Sequence, residues 1–187
     1  MKKLLIGILL VVAFSANAQT EIKDFSLTNI KDGKQVSLSN YKSSSGIAVV
    51  FTSHECPFDN YYKDRLKELA NTYSGKIQFL FINSNQETEE NAAQMAIHYG
   101  DLPIPYLADK DQNAMEAFGA RKSPEMFLLS TIGGKFIVVY SGAIDDNPQA
   151  ASDVKQNFAK NAIDKLLAGQ KIEVAMQRAA GCTIRRK

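Results

Sequence analysis

Two strongly apolar runs, Ile47 to Phe51 without a polar residue and Ile77 to Ile82 with only Gln78, separated by a long amphipathic segment, constrain the fold of this 187-residue chain more than any other feature. Runs without alternation do not sit half exposed, so both are expected as central strands of a sheet covered on its two faces. From Pro57 the residues Phe58, Tyr62, Leu66, Leu69 and Tyr73 recur on one helical face, with Lys63, Asp64, Lys67 and Glu68 opposite, and Gly75 ends the helix. The first run continues through Thr52, Ser53, His54 and Glu55 into Cys56-Pro57, which puts a thiol at a helix start. Backbone N–H groups and the positive end of the helix dipole favour a thiolate there, and cysteines so placed have pKa values of about 3.5–7.5 instead of about 8.5. Position alone leaves two other readings open: a small apolar residue at a strand–helix junction, or one end of a permanent disulfide.

Around this unit the pattern of strands alternating with helices continues. Phe25, Leu27 and Ile30 on one side of Lys31-Asp32-Gly33-Lys34, and Val36 and Leu38 on the other, read as a hairpin. A helix is expected from about Glu89 to Tyr99, capped by Thr88 with Glu89 and Glu90 in its first turn. Pro103-Ile104-Pro105 leads to a short strand at Tyr106-Leu107. A helix near Gln112 to Phe118 follows, then strands at Met126 to Leu129 and Lys135 to Tyr140 joined by Ile132-Gly133-Gly134. A last helix is expected over about Ala150 to Leu167. The fold class is α/β, a central mixed sheet flanked by helices. No repeat, low-complexity tract or second-domain linker interrupts it.

Lys2 and Lys3, the apolar run Leu4 to Phe14 and the small residues Ala16-Asn17-Ala18 read as a cleaved secretory signal over residues 1–18. The run is too short to span a bilayer, and no cysteine follows Ala18 to carry a lipid, so no stable membrane anchor is expected. Without Lys2 and Lys3, the 22 basic residues fall level with the 20 acidic ones, which argues against nucleic acid as a partner. Two cysteines in an exported chain invite one disulfide, Cys56 to Cys182. Closing a loop that long would stabilise by about 5 kcal/mol in the chain-entropy model, so a bracing role has a physical motive.

The order of strand, Cys56-Pro57 helix, strand, helix, Ser123-Pro124, hairpin and final helix resembles the thioredoxin-like fold in its redoxin form, the alkyl hydroperoxide reductase and thiol-specific antioxidant type. Here the hairpin at Phe25 to Tyr41 is an N-terminal extension. The resemblance covers about residues 22–168, within a redoxin domain of residues 19–175 and ahead of a tail, 176–187, that carries Cys182. It implies a cis bond at Pro124, facing the reactive cysteine, and a backbone at Ser123 that holds an extended thiol substrate. Asp59 stands where thioredoxins carry their second cysteine. Ser53 matches the Ser or Thr three residues before a peroxiredoxin's reactive cysteine, but Val49 replaces the expected Pro, and the family's active-site Arg falls at Pro124, with Arg121 nearby but not matching. The site thus resembles a one-cysteine thioredoxin more than a peroxiredoxin. Gly181-Cys182-Thr183-Ile184 resembles the Gly-Cys-Ser-Ile ending of a bacterial redoxin subgroup that shares the lone Cys-Pro and a Gly-Ala-Ile-Asp-Asp segment, here Gly142 to Asp146. By that resemblance Cys182 is the resolving thiol.

His54, two residues before Cys56, is a candidate proton acceptor if the strand persists that far. Glu55 and Asp59 enter as negative charges that oppose thiol ionisation. The function expected is an exported, periplasmic or secreted thiol oxidoreductase acting on disulfides or hydroperoxides through Cys56, reset by an external thiol reductant and needing no metal or cofactor. The alternative is a binding or chaperone-like module with a structural Cys56–Cys182 bond. Copper delivery fits poorly, because it calls for two neighbouring thiols plus a histidine.

Overall fold

A computed structural model describes residues 20–187, so the expected signal at residues 1–18 lies outside the described residues. The strands are β1 (Glu21–Ile22), β2 (Ser26–Asn29), β3 (Gln35–Ser37), β4 (Gly46–Phe51), β5 (Ile77–Asn83), β6 (Tyr106–Ala108), β7 (Lys122–Ser123), β8 (Glu125–Ser130), β9 (Phe136–Gly142), β10 (Met176–Gln177) and β11 (Cys182–Thr183). The helices are α1 (Pro57–Thr72), α2 (Ala92–Tyr99), α3 (Asn113–Phe118) and α4 (Phe158–Leu167). One sheet runs in the order β1-β9-β8-β4-β5-β6-β2-β3, with β10 also on β9, while β11 and β7 form a separate pair. β4, β5 and β6 are mutually parallel, and β8 joins β4 antiparallel. The result is a mixed, thioredoxin-like sheet with helices on its faces. The N-terminal hairpin is part of it, because β2 pairs with β6.

The apolar runs are explained by burial on both faces. Alternate residues of β4 point to opposite sides. Ala48 and Val50 join a core with Tyr62 and Leu66 of α1, Met95 and Tyr99 of α2, and Ala162 and Ile163 of α4. Ile47, Val49 and Phe51 join a second core with Met115 and Phe118 of α3, and with Ile184 of the tail.

Two helix starts differ from expectation, each because a side chain has other work. The second helix begins after Asn91, whose Oδ1 accepts from the Ala93 and Gln94 N–H groups at 3.1 and 3.2 Å, so Thr88 is not its cap. Glu90, expected in the first turn, is buried instead. The last helix begins only at Phe158. Upstream, Asp146 Oδ1 accepts from the Lys155 and Gln156 N–H groups, which holds that stretch extended against the Gly142 to Asp146 segment.

Candidate functional site

Past Phe51 the chain turns so that Cys56 takes the position before α1, with φ −80° and ψ 122°, and Pro57 opens the helix. Proline suits this place because its absent N–H would have no helical partner. Ser53 fixes the turn: its Oγ accepts from the Cys56 N–H at 3.1 Å and the Glu55 N–H at 3.2 Å. The Cys56 sulfur therefore stands at the positive end of the helix dipole, where a thiolate is favoured. In this structure it is bonded to Cys182, with Cα atoms 5.9 Å apart. Cys56 is 2% exposed, and its sulfur lies 3.2 Å from the Ser123 carbonyl oxygen, beside the cis Ser123–Pro124 bond.

The tail reaches this point as an ordered chain. Upstream of Cys182, β10 lies along β9 and Gln177 accepts from the Ala143 N–H at 2.9 Å. That approach needs glycine at 142, where φ is +117° and a Cβ would run into the Gln177 backbone. At the site β11 pairs antiparallel with β7, Cys182 opposite Ser123 and Thr183 opposite Lys122. Downstream, the Ile184 N–H donates to the Arg121 carbonyl at 3.0 Å, and Gln112 clamps the backbone by donating to the Arg185 carbonyl and accepting from the Lys187 N–H. Ile184 is buried, a contribution of about 1.5–3 kcal/mol to seating the tail.

Beneath the Cys56 turn lies a polar knot that sequence reasoning missed. Glu90, 1% exposed, accepts a short hydrogen bond from the Ser53 hydroxyl and a 2.6 Å bond from Asn83 Nδ2, with the His54 and Glu55 N–H groups each at 3.4 Å. His54 Nδ1 lies 2.7 Å from Glu90 Oε2, close enough for charge pairing though without the alignment of a hydrogen bond, and its Nε2 lies 2.7 Å from the Glu89 carbonyl oxygen. Lys110 ties the same loop by donating to the Asn85 and Glu90 carbonyls at 2.7 Å, and burial lowers its pKa despite the nearby Glu90 and Glu87. His98 packs edge-on against Tyr99, 4.4 Å between centroids, and lies 6.3 Å from His54. Burial first, then Lys63, His54 and Lys67, pushes its pKa down to about 4, so it stays neutral at physiological pH.

Asp59 departs most from expectation. It is fully buried and accepts from the Ser123 hydroxyl at 2.6 Å, while its other oxygen has no partner among the described residues. Burial raises its pKa well above the ordinary 3.8, outweighing the lowering influence of the Ser123 hydroxyl and of the Ser53 backbone. Burial thus favours its acid form, which carries no charge and, unlike the fixed anion expected beside the thiol, does not oppose ionisation there. Because the folded-state value lies above the unfolded one, the unfolded chain binds fewer protons between the two, and stability falls as pH rises through that window. Asp59→Asn removes this titration. The variant is expected to gain on the parent as pH rises above about 4, by about 1.4 kcal/mol per pH unit while Asp59 stays protonated only in the folded chain. Urea unfolding at pH 4 and pH 8 checks this; an equal difference at both would mean that Asp59 ionises in the fold as it does in the unfolded chain.

A family model described as AhpC/TSA matches residues 18–147, more than half of the chain. The chain belongs to the AhpC/TSA family. No curated protein matches it. Among solved structures, a hypothetical protein of Sinorhizobium meliloti 1021 is similar at 29% identity and a TM-score of 0.81, over 91% of this chain and 95% of that one. An uncharacterized conserved protein of Geobacillus kaustophilus is similar at 30% identity and a TM-score of 0.81, over 90% and 92%. The fold is also that of the pneumococcal exposed lipoprotein thioredoxin of Streptococcus pneumoniae strain TIGR4, at 22% identity and a TM-score of 0.56, over 79% and 99%.

In this AhpC/TSA chain the structure brings Cys56, Cys182, Ser123 and Pro124 to one place. Ser53 reaches the site through its hydroxyl, which holds the Cys56 backbone N–H. The His54 ring nitrogens face Glu89 and Glu90, away from any described contact with the Cys56 sulfur. Among the described residues, no group of three or more His, Cys, Asp or Glu side chains is placed to hold a metal ion.

Proposed function

We propose that this AhpC/TSA protein is an exported thiol oxidoreductase in which Cys56 attacks and Cys182 resolves. Export is read from the leader at residues 1–18. One observation carries the chemistry: the Cys56–Cys182 bond sits at the start of α1 against the Ser123 carbonyl, with the Cys182 strand paired to β7 as an extended substrate would be. The Cys56 thiolate attacks one sulfur of a disulfide, and the other sulfur leaves with the electron pair. Cys182, as thiolate, then attacks Cys56 and expels the bound sulfur, which leaves the Cys56–Cys182 disulfide. With a hydroperoxide, the thiolate takes the terminal oxygen and the alkoxide or hydroxide leaves. Cys182 then condenses with the sulfenic acid, releasing water. Either way an external dithiol must return two electrons.

Alkylation of the cysteines after equilibration at graded redox potentials tests this reading. Reversible titration above about −300 mV is expected of a working couple. A bond that stays oxidised below about −300 mV would overturn the proposal in favour of a binding module braced by a permanent cross-link.

A further inference from the structure

The seated tail shows what the groove along β7 accepts. Its ladder with Lys122 and Ser123 uses backbone groups, and Gln112 also holds backbone, so these contacts do not depend on side chains. Selection enters at two other positions. Directly before Cys182 stands Gly181, where a Cβ would collide with the Ser123 carbonyl, 2.7 Å from its carbon and 3.2 Å from the Pro124 nitrogen. These are backbone atoms at a proline and cannot swing aside as a side chain would. Two places after the cysteine stands Ile184. Residues i and i+2 of a strand share a face, so the geometry that turns Cys182 toward Cys56 also turns position 184 inward. There it is 4% exposed, in the core cluster that holds Phe118 and Phe127. Thr183, between them, is exposed, and its hydroxyl accepts from Lys122 Nζ at 3.0 Å in solvent, a contact too weak to restrict that place strongly.

Resting on Cys56 as the attacking thiol, we infer that this groove takes a polypeptide disulfide whose attacked cysteine follows a glycine and precedes, by two places, an aliphatic residue, and that the protein's own tail is its resident competitor. In the exchange the Cys56 thiolate forms a bond to the polypeptide's cysteine sulfur, and the former partner sulfur departs as a thiolate with the bonding electrons. No further reactant is needed for that step.

The test uses full-length protein, reduced at Cys56, carrying Cys182→Ser. The probe is a peptide with the sequence of residues 180–185, its cysteine joined to nitrothiobenzoate, so that attack on the peptide sulfur releases a coloured thiolate. Two further peptides carry valine in place of the glycine or aspartate in place of the isoleucine. A small symmetrical nitrobenzoate disulfide reports the thiol itself. Each altered peptide is expected to react at least about tenfold more slowly than the parent, as befits the loss of one close fit or one buried aliphatic contact. Adding Ile184→Asp, or Gly181→Val, to the protein unseats the tail and should raise the parent peptide's rate relative to that of the small disulfide. Equal rates for the three peptides, or a ratio unmoved by both tail substitutions, would overturn the inference while leaving Cys56 chemistry standing. Failure of even the small disulfide to react would overturn the oxidoreductase reading beneath it.

Discussion

Cys56→Ser is expected to lower the first thiol-exchange or peroxide-reduction step by about a thousandfold or more, as removal of an attacking nucleophile does. Cys182→Ser is expected to leave that step intact and to stop afterwards, with a mixed disulfide or sulfenic acid trapped on Cys56. The asymmetry follows from placement. Cys56 stands at the start of α1, at the positive end of its dipole and 3.2 Å from the Ser123 carbonyl, whereas Cys182 arrives on an edge strand beyond the last helix. Both variants lose the same cross-link, and the same loop-closure stabilisation of about 5 kcal/mol, so any difference between them reports chemistry and not bracing. Mass spectrometry of the adduct after one equivalent of substrate separates the cases. Full turnover by Cys56→Ser with a disulfide and a hydroperoxide alike would remove Cys56 from the mechanism.

Glu90→Ala is expected to destabilise the fold by about 3–5 kcal/mol, because the Asn83 amide and the Ser53 hydroxyl lose a buried acceptor together, and each orphaned group costs about 1–3 kcal/mol. The His54 and Glu55 N–H groups would lose their longer contacts as well. The melting temperature should fall by roughly 10 °C. Glu90→Gln, which keeps the volume and one acceptor oxygen, should recover part of the loss. Ser53 would then hold the Cys56 N–H without its own anchor, so the alkylation rate of reduced Cys56 should change with the melting temperature. A loss below about 1 kcal/mol would mean that water or rearranged side chains satisfy these donors.

The strands and the first helix were legible because burial writes itself into periodicity. β4 has no polar residue and β5 only Gln78 before its final Asn83, and α1 carries Tyr62, Leu66 and Ala70 on one stripe that Tyr73 continues at the helix end. Asp59 lies on that same stripe, three residues before Tyr62, and this spacing was the available sign that it is buried and not a surface charge. Glu90 left no such sign. Glu89, Glu90 and Asn91 form a polar run in which Thr88 and Asn91 can each cap a helix, and the choice is made by Ser53, 37 residues away, and by Asn83. The late start of α4 is tertiary for the same reason, since it depends on Asp146. Cys56, Cys182, Ser123 and Pro124 were named by motif and resemblance, whereas the order of the tail was not foreseen. Its anchors are backbone pairs, the Gln112 clamp and the buried side chain of Ile184, and none of these produces a periodic signal.

Those anchors flank Cys182 on both sides, β10 upstream and Ile184 to Lys187 downstream, and none of them is the disulfide. Cleaving the sulfur–sulfur bond is therefore expected to leave the strand in register, so that the freed Cys182 thiol should meet Cys56 as an intramolecular reactant at an effective concentration of roughly millimolar or more. Two kinds of oxidant should then obey different rate laws. A hydroperoxide needs only room for its terminal oxygen at the Cys56 sulfur, and its consumption should rise with its concentration. A polypeptide needs the whole edge of β7, so its rate should level off at the frequency with which the tail lets go.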